Sequence, residues 1–285
     1  MKEAVEYHIG NAWQRNRYKF MSEYNRRMGI KEFDPAPNQE QPFYHLLKPI
    51  NSLNNFLGES EILDVVKKRF EHHKAGDLKR VMTNTVASQP CCFNLFAPLK
   101  FRTELAGRLF SQLLGKSVDV QHIEIEFTPN SHKDLAGFEL FGDESLGDQG
   151  PKRGTDADVA IFYTSGKQKG VVLIEFKYIE SEFSQCGSYK NDRKSKFRNI
   201  CDNQGFYRTL IEPNLTKKAG RYNCGYLKYF NWQLTIKSNV FNNNEVEDSK
   251  ACPFRSSGQQ LWRNILLAEN VARSRNLDEF SFWVL

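Results

Sequence analysis

Two apolar runs of mostly β-branched and aromatic residues, Val159–Tyr163 (VAIFY) and Val171–Ile174 (VVLI), are separated by TSGKQKG, which supplies turn chemistry. This pattern predicts a β-hairpin with a buried face. Upstream, Val118–Phe127 (VDVQHIEIEF) alternates apolar and polar positions and predicts the first strand of the same core, with Glu124 and Glu126 sharing one of its faces. Thr103–Leu114 (TELAGRLFSQLL) spaces Leu105, Leu109, Leu113 and Leu114 along a helical face, with Thr103 as cap and Gly115 as stop. Phe254–Ala272 predicts a second long helix with Leu261, Ile265, Ala268 and Ala272 on one side. Phe280–Leu285 (FSFWVL) reads as the last core strand. A strand so apolar at the extreme end of a chain needs neighbours on both sides, pointing to a truncated chain or a sheet completed by a partner. At the front, Met1–Asn25 leans amphipathic, DPAPNQEQP is a proline-rich connector, and Tyr44–His73 returns to a helical pattern.

Charge interrupts the hairpin where it should be most apolar. Asp158 opens its first strand, and Glu175 and Lys177 close its second. Strand side chains alternate, so Glu175 and Lys177 share a face while Phe176 points away. If the strands pair across the turn, Asp158 lies beside Glu175. Two carboxylates in a partly dry place repel unless a cation sits between them, and few hard oxygen ligands with room for water suit Mg2+ or Mn2+. A nearby lysine can orient the attacking water and offset charge on a phosphate, which is the chemistry of metal-assisted phosphodiester hydrolysis. The competing reading is an ordinary ion pair at an exposed strand end. Asp156, two residues before Asp158, is a reserve ligand.

D-x(16)-E-x-K at the ends of two consecutive strands resembles the PD-(D/E)XK nuclease superfamily, the restriction-endonuclease-like fold, with Asp158 as the aspartate and Glu175-Phe176-Lys177 as E-x-K. Ala157 stands where a proline usually precedes the aspartate. Ser88-Gln89 followed by Asn94-Leu95-Phe96 and Pro98-Leu99 resembles S-Q-x(4)-N-L-F-x-P-L of a branch described as restriction endonucleases, and Gln260-Leu261-Trp262-Arg263-Asn264 resembles another segment of it. Gln89 and Asn94 either brace the site or touch DNA.

The resemblance implies an α/β fold, with an αβββαβ core whose mixed central sheet is flanked by helices. It covers roughly 81–285, and 1–80 forms an N-terminal helical extension. It also implies a metal held by Asp158, Glu175 and the backbone carbonyl of Phe176, with Glu126 approaching from the end of its strand and Lys177 beside the water. The helix before the first strand often lends an acid, which Glu104 matches; a favourable dipole interaction explains Glu104 equally well. Gln260 is placed to orient water or phosphate and Arg263 to bind phosphate, or each to bridge structurally. The implied activity is a metal-dependent DNA endonuclease of restriction or defence type. Alternatives are a structure-specific repair or RNA-processing nuclease and a binding module of the same fold with an inactive site. A concerted double-strand cut would require a homodimer.

Composition agrees with a folded polyanion binder without requiring one. The 285 residues are 40% apolar and 13% aromatic with a net charge of +6. No stretch is apolar enough for a membrane span and the first twenty residues are too polar for a signal peptide, so a cytoplasmic protein is expected. SYKNDRKSKFR carries Lys190, Arg193, Lys194, Lys196 and Arg198, the strongest candidate for contact with a DNA backbone, or else a solvated loop. Arg15, Arg17, Arg26 and Arg27 offer phosphate contacts from the first helix, and YNCGYLKYFNW offers rings for bases or for packing. The six cysteines are irregularly spaced, which favours free thiols over a cluster or a zinc site.

Overall fold

The computed structural model describes residues 3–58, 60–73, 78–127, 156–180, 182–183, 202, 235, 237–242, 244–245 and 258–285. Its centre is a four-stranded sheet in the order β3 (Asp119–Phe127), β4 (Ala157–Ser165), β5 (Gln168–Glu175), β6 (Glu279–Val284). The first three strands are antiparallel and β6 runs parallel to β5, so the sheet is mixed. The hairpin is tighter than its composition suggests. Ser165 pairs with Gln168, leaving a two-residue turn of Gly166-Lys167 in which Gly166 takes φ +60°. A positive φ at the first turn position matches strand twist and suits glycine.

One face of the sheet packs on helices α2 (Ser60–His73), α4 (Ser88–Phe101) and α5 (Thr103–Leu114), through Ile62, Val66, Phe93, Phe96, Phe110, Ile123, Ile125, Val159, Ile161, Val172 and Ile174. The other packs on α6 (Gly258–Ser274), through Leu266, Leu267, Ala268 and Val271 against Ala160, Phe162, Val171 and Leu173. Both hairpin strands are therefore apolar on both faces, which is why they read as continuous runs. Read in order, α5-β3-β4-β5-α6-β6 is the expected α-β-β-β-α-β succession.

Before the core come α1 (Ala12–Arg27), a two-stranded ribbon of β1 (Phe33–Pro35) and β2 (Pro42–Leu47), a 3-10 turn over Pro49–Asn55 and α3 (Leu78–Thr83). The segment from Tyr44 is thus strand first and helix only from Ser60. PFYHLL alternates buried and half-buried positions, a period of two that the helical pattern obscured. Asn55 and Asn94 tie this region to α4: Asn55 donates to the Val81 carbonyl at 2.7 Å, and Asn94 donates to the Asn55 carbonyl at 3.0 Å and accepts from the Leu57 N–H.

Helix faces differ from the leucine pattern. On α5, Ala106, Gly107 and Phe110 are buried, whereas Leu105, Leu109 and Leu113 are exposed. Gly107 sits so close to β3 that an added Cβ would lie 3.2 Å from the Val118 carbonyl oxygen, so close packing selects the small-residue face. Thr103 is the first helical residue rather than the cap, and Gly115 closes the helix with φ +67°. On α6 Ala268 and Ala272 are buried as predicted, but Leu261 and Ile265 are only half-buried, and Asn264, Leu267 and Val271 complete the buried face, with Asn264 turned to Glu175. Among the described residues no helix is long and apolar enough to cross a membrane.

Candidate active site

Register brings three carboxylate-bearing residues into one row. Phe127 pairs with Ala157 and Ile125 with Val159, placing Glu126 opposite Asp158; Val159 pairs with Ile174, placing Asp158 opposite Glu175. The row crosses three neighbouring strands at one end of the sheet; Asp158 and Glu175, so opposed, project from neighbouring points, whereas Glu126 lies where the alternation of β3 breaks and turns its side chain to Gln89 of α4. Lys177 follows two residues beyond Glu175 and returns its Nζ to Glu175 Oε1 at 2.5 Å. The predicted adjacency of Asp158 and Glu175 is present, and Glu175 is 2% exposed, which the reading of an exposed surface ion pair does not fit.

Each member is fixed by its own surroundings. Asp158 Oδ2 accepts from the Phe176 N–H at 2.6 Å, locking the aspartate onto the backbone of the E-x-K segment. On the far side of that segment, Lys177 N–H donates to the Leu285 carbonyl at 2.7 Å and Leu285 N–H donates to the Glu175 carbonyl at 3.0 Å. The Phe176 peptide is clamped between Asp158 and the end of the chain. Glu175 accepts from Gln260 Nε2 at 2.6 Å on Oε1 and from Asn264 Nδ2 at 2.9 Å on Oε2. Lys177 also donates to Gln260 Oε1 at 3.4 Å. Gln260 and Asn264 are one helical turn apart on α6, so one face of that helix holds both oxygens of the carboxylate.

Glu126 is set differently. It adopts φ +56°, a left-handed conformation that costs a non-glycine residue roughly 1 kcal/mol. The departure breaks the alternation of β3, so Phe127 joins the core on the α6 side although Ile125 belongs to the other. Arg69 of α2 donates to the Glu126 carbonyl and Gln89 of α4 hydrogen-bonds its side chain, while Glu126 Oε1 is buried without a partner. Gln89 thus braces the site, one of its two expected roles. Glu124, two residues earlier on the strand, is buried: it accepts from Lys100 at 2.8 Å and contacts His122 Nε2 at 2.7 Å.

Electrostatics are those of crowded acids. Burial, then the charges of Glu175 and Glu126, hold the Asp158 carboxyl well above the ordinary range against the Phe176 N–H and Lys177. Burial, then Asp156, raises Glu126 to about 7 despite Gln89 and Arg69. Glu175 is raised by burial in spite of Lys177 and Asn264. Asp156, exposed just before β4, adds its charge to both glutamates. The donor set is all hard oxygen, and a divalent cation would relieve the repulsion. Among the described residues no three acidic, histidine or cysteine side chains close on one point as a ready cage, consistent with the amide and ammonium partners that occupy Glu175.

Other expected residues lie elsewhere. Glu104 is exposed and lines a groove with Ser117–Val120, by the start of β3 and at the opposite end of that strand from Glu126. Its first-turn position on α5 leaves the helix-dipole role as the reading that its placement supports. Arg263 lies half-buried on α6, next to Asn264. Lys190, Arg193, Lys194, Lys196 and Arg198, the 222–232 aromatic stretch and four of the six cysteines fall outside the described residues; Cys91 and Cys92 are free thiols. Two further residues, Asn264 and Arg69, belong to the site. Asn264 has a legible signal, a polar residue one turn after Gln260 on a buried face; Arg69, in VVKKRF, has none.

No curated protein and no solved structure matches the chain. A family model described as PD-(D/E)XK nuclease superfamily matches residues 12–221, taking in α1 and the elements before the core. With well over half its length matched, the chain belongs to the PD-(D/E)XK nuclease superfamily.

Proposed function

We propose that the protein is a divalent-metal-dependent DNA endonuclease of restriction or defence type, with Glu126, Asp158, Glu175 and the Phe176 carbonyl as the ion's ligands. The observation that carries this reading is the row of three acidic residues across β3, β4 and β5, adjoined by one lysine, with Glu175 held by Gln260 and Asn264. Bound there, Mg2+ or Mn2+ would supply Lewis acidity and a more acidic water. Lys177 carries the ammonium that orients the nucleophilic water and faces the charge developing on the phosphate. Gln260 bridges Lys177 and Glu175 and keeps both in register. Asp158 sets the direction of the Phe176 peptide by accepting from its N–H. Arg263, with Lys190, Arg193, Lys194, Lys196 and Arg198, supplies phosphate contacts, and cutting both strands of a duplex calls for two copies. The cytoplasm, where DNA and Mg2+ meet, is the compartment that fits.

Cleavage of supercoiled plasmid, of single-stranded circular DNA and of RNA is the test, with Mg2+, with chelator, and for Lys177→Ala. Product with Mg2+ in the wild-type protein alone is the expected result. Equal product in all three conditions overturns the mechanism, and product from RNA but not from DNA overturns the substrate.

A further inference from the structure

α1 has two faces of different character. Ser22 and Asn25 are buried, with Asn25 donating to the Tyr44 carbonyl of β2 at 2.8 Å, so that side is packed. The opposite side carries Trp13, Arg17, Phe20, Tyr24 and Arg27, spaced by four, three, four and three residues into a single stripe. Trp13 is 51% exposed, Phe20 55% and Tyr24 39%. Phe20 and Tyr24, large rings in line with Trp13, are not explained by packing among the described residues. The helix holds Arg15, Arg17, Lys19, Arg26 and Arg27 against one acid, Glu23, so the stripe lies in positive surroundings.

Its position relates it to the carboxylate row. Trp13 donates from Nε1 to the Tyr178 carbonyl at 3.1 Å, and Gln14 donates from Nε2 to the Ile179 carbonyl at 2.9 Å. Those are the first residues after Lys177. The Arg17 guanidinium lies 3.9 Å over the Trp13 ring and hydrogen-bonds the Tyr178 side chain. The stripe therefore begins at the exit of the E-x-K segment and runs ~16 Å along α1.

We propose that this stripe is a stacking platform for the unpaired bases of a single-stranded nucleic acid whose backbone continues to the carboxylate row. This deepens the nuclease reading and rests on it for where the strand leads. Aromatic rings interspersed with basic residues fit a single strand: Phe20 and Tyr24 offer exposed rings to any base while Lys19 and Arg27 meet the backbone, and Trp13, with Arg17 stacked on it, anchors the start of the stripe beside Tyr178. In a duplex the base faces are already stacked on one another, so the rings gain nothing from it. A purely apolar protein partner would use the area of these residues but not their aromaticity.

The test is binding by the full-length protein to a fluorescein-labelled oligonucleotide, single-stranded or annealed, in chelator so that no cleavage intervenes. Single strand is expected to bind more tightly than duplex. Phe20→Ala and Tyr24→Ala should each weaken single-strand binding by about tenfold and duplex binding by less than about twofold. Phe20→Leu should lose as much as Phe20→Ala, whereas Phe20→Trp should restore binding; far-ultraviolet circular dichroism confirms that each variant is folded. Equal losses for single strand and duplex, no loss at all, or full affinity with leucine overturns the proposal. A wild-type protein that cleaves nothing yet shows the aromatic-dependent preference refutes the nuclease reading and leaves the platform standing. Cleavage that persists with Phe20→Ala binding like wild type refutes the platform alone.

Discussion

Asp158→Asn should abolish cleavage and stabilise the fold. Asp158 lies opposite both Glu126 and Glu175, and two unit charges about 5 Å apart at an effective dielectric near 20 repel by about 3 kcal/mol. The wild-type protein escapes part of this by taking up a proton, because burial and its two neighbours raise the Asp158 carboxyl well above its ordinary range. Asparagine keeps what the aspartate supplies structurally: its carbonyl oxygen can accept from the Phe176 N–H while its amide turns toward the neighbouring carboxylates. A gain of about 1 to 3 kcal/mol at pH 8 is expected, which for a chain of this size is a rise in Tm of roughly 2 to 5 °C.

The sign of the pH dependence makes the prediction specific. A carboxyl whose folded pKa is raised stabilises the protein fully below its unfolded pKa, and that contribution is lost as pH rises through the folded value. The advantage of Asp158→Asn should therefore be small near pH 4 to 5 and grow toward pH 8. Calorimetry of both proteins at pH 5 and 8, in chelator and in Mg2+, provides the measurement, with Mg2+ raising the wild-type Tm more than the variant's. A variant less stable than wild type at pH 8, or an advantage unchanged between the two pH values, would refute the repulsion.

Asn264→Ala removes a donor to a buried charge, which is worth about 1.5 to 3 kcal/mol, so cleavage should fall by roughly 10- to 100-fold. Because the lost bond favoured the ionised form of Glu175, the acid limb of the pH–rate profile should also move upward; a fall in rate with an unmoved limb would make Asn264 merely structural. His45, 5% exposed among Tyr7, Tyr18 and Phe43, has its pKa lowered to about 4 by burial. Its folded value lies below its unfolded one, so the unfolded chain binds more protons between pH 6.5 and 4, and stability is lost on acidification through that window by up to about 3 kcal/mol. His45→Phe should flatten that part of a denaturant-midpoint titration, and an unchanged slope would contradict it.

What the sequence disclosed follows from which forces are local. The hairpin and its terminal charges were legible because both strands are buried on both faces and period-two placement binds Asp158, Glu175 and Lys177 to one register. β2 was missed because its alternation is of half-buried rather than polar residues. The α5 surface misled because the leucine stripe is exposed and Gly107, which the sequence pattern disregards, marks the packed side. Glu126 was correctly placed at the end of its strand, but its φ of +56° has no sequence signal, since glutamate takes the left-handed region only when Arg69 and Gln89, distant in the chain, hold it there.

That last residue shows why the pieces of the site cannot be judged separately. Glu126 combines a strained backbone, a buried oxygen without a partner and a pKa displaced to about 7, three unfavourable features at one position. Asp158 and Glu175 add mutual repulsion, and Gln260 and Asn264 of α6, together with Lys177, direct their hydrogen bonds to a single buried carboxylate. Rules of local consistency that hold for β4, β5 and α6 fail together where the three strands end, and such concentrated failure is expected where a fold gives up stability for chemistry. An ordinary core would have replaced these acids with valine or leucine, continuing the runs that precede them.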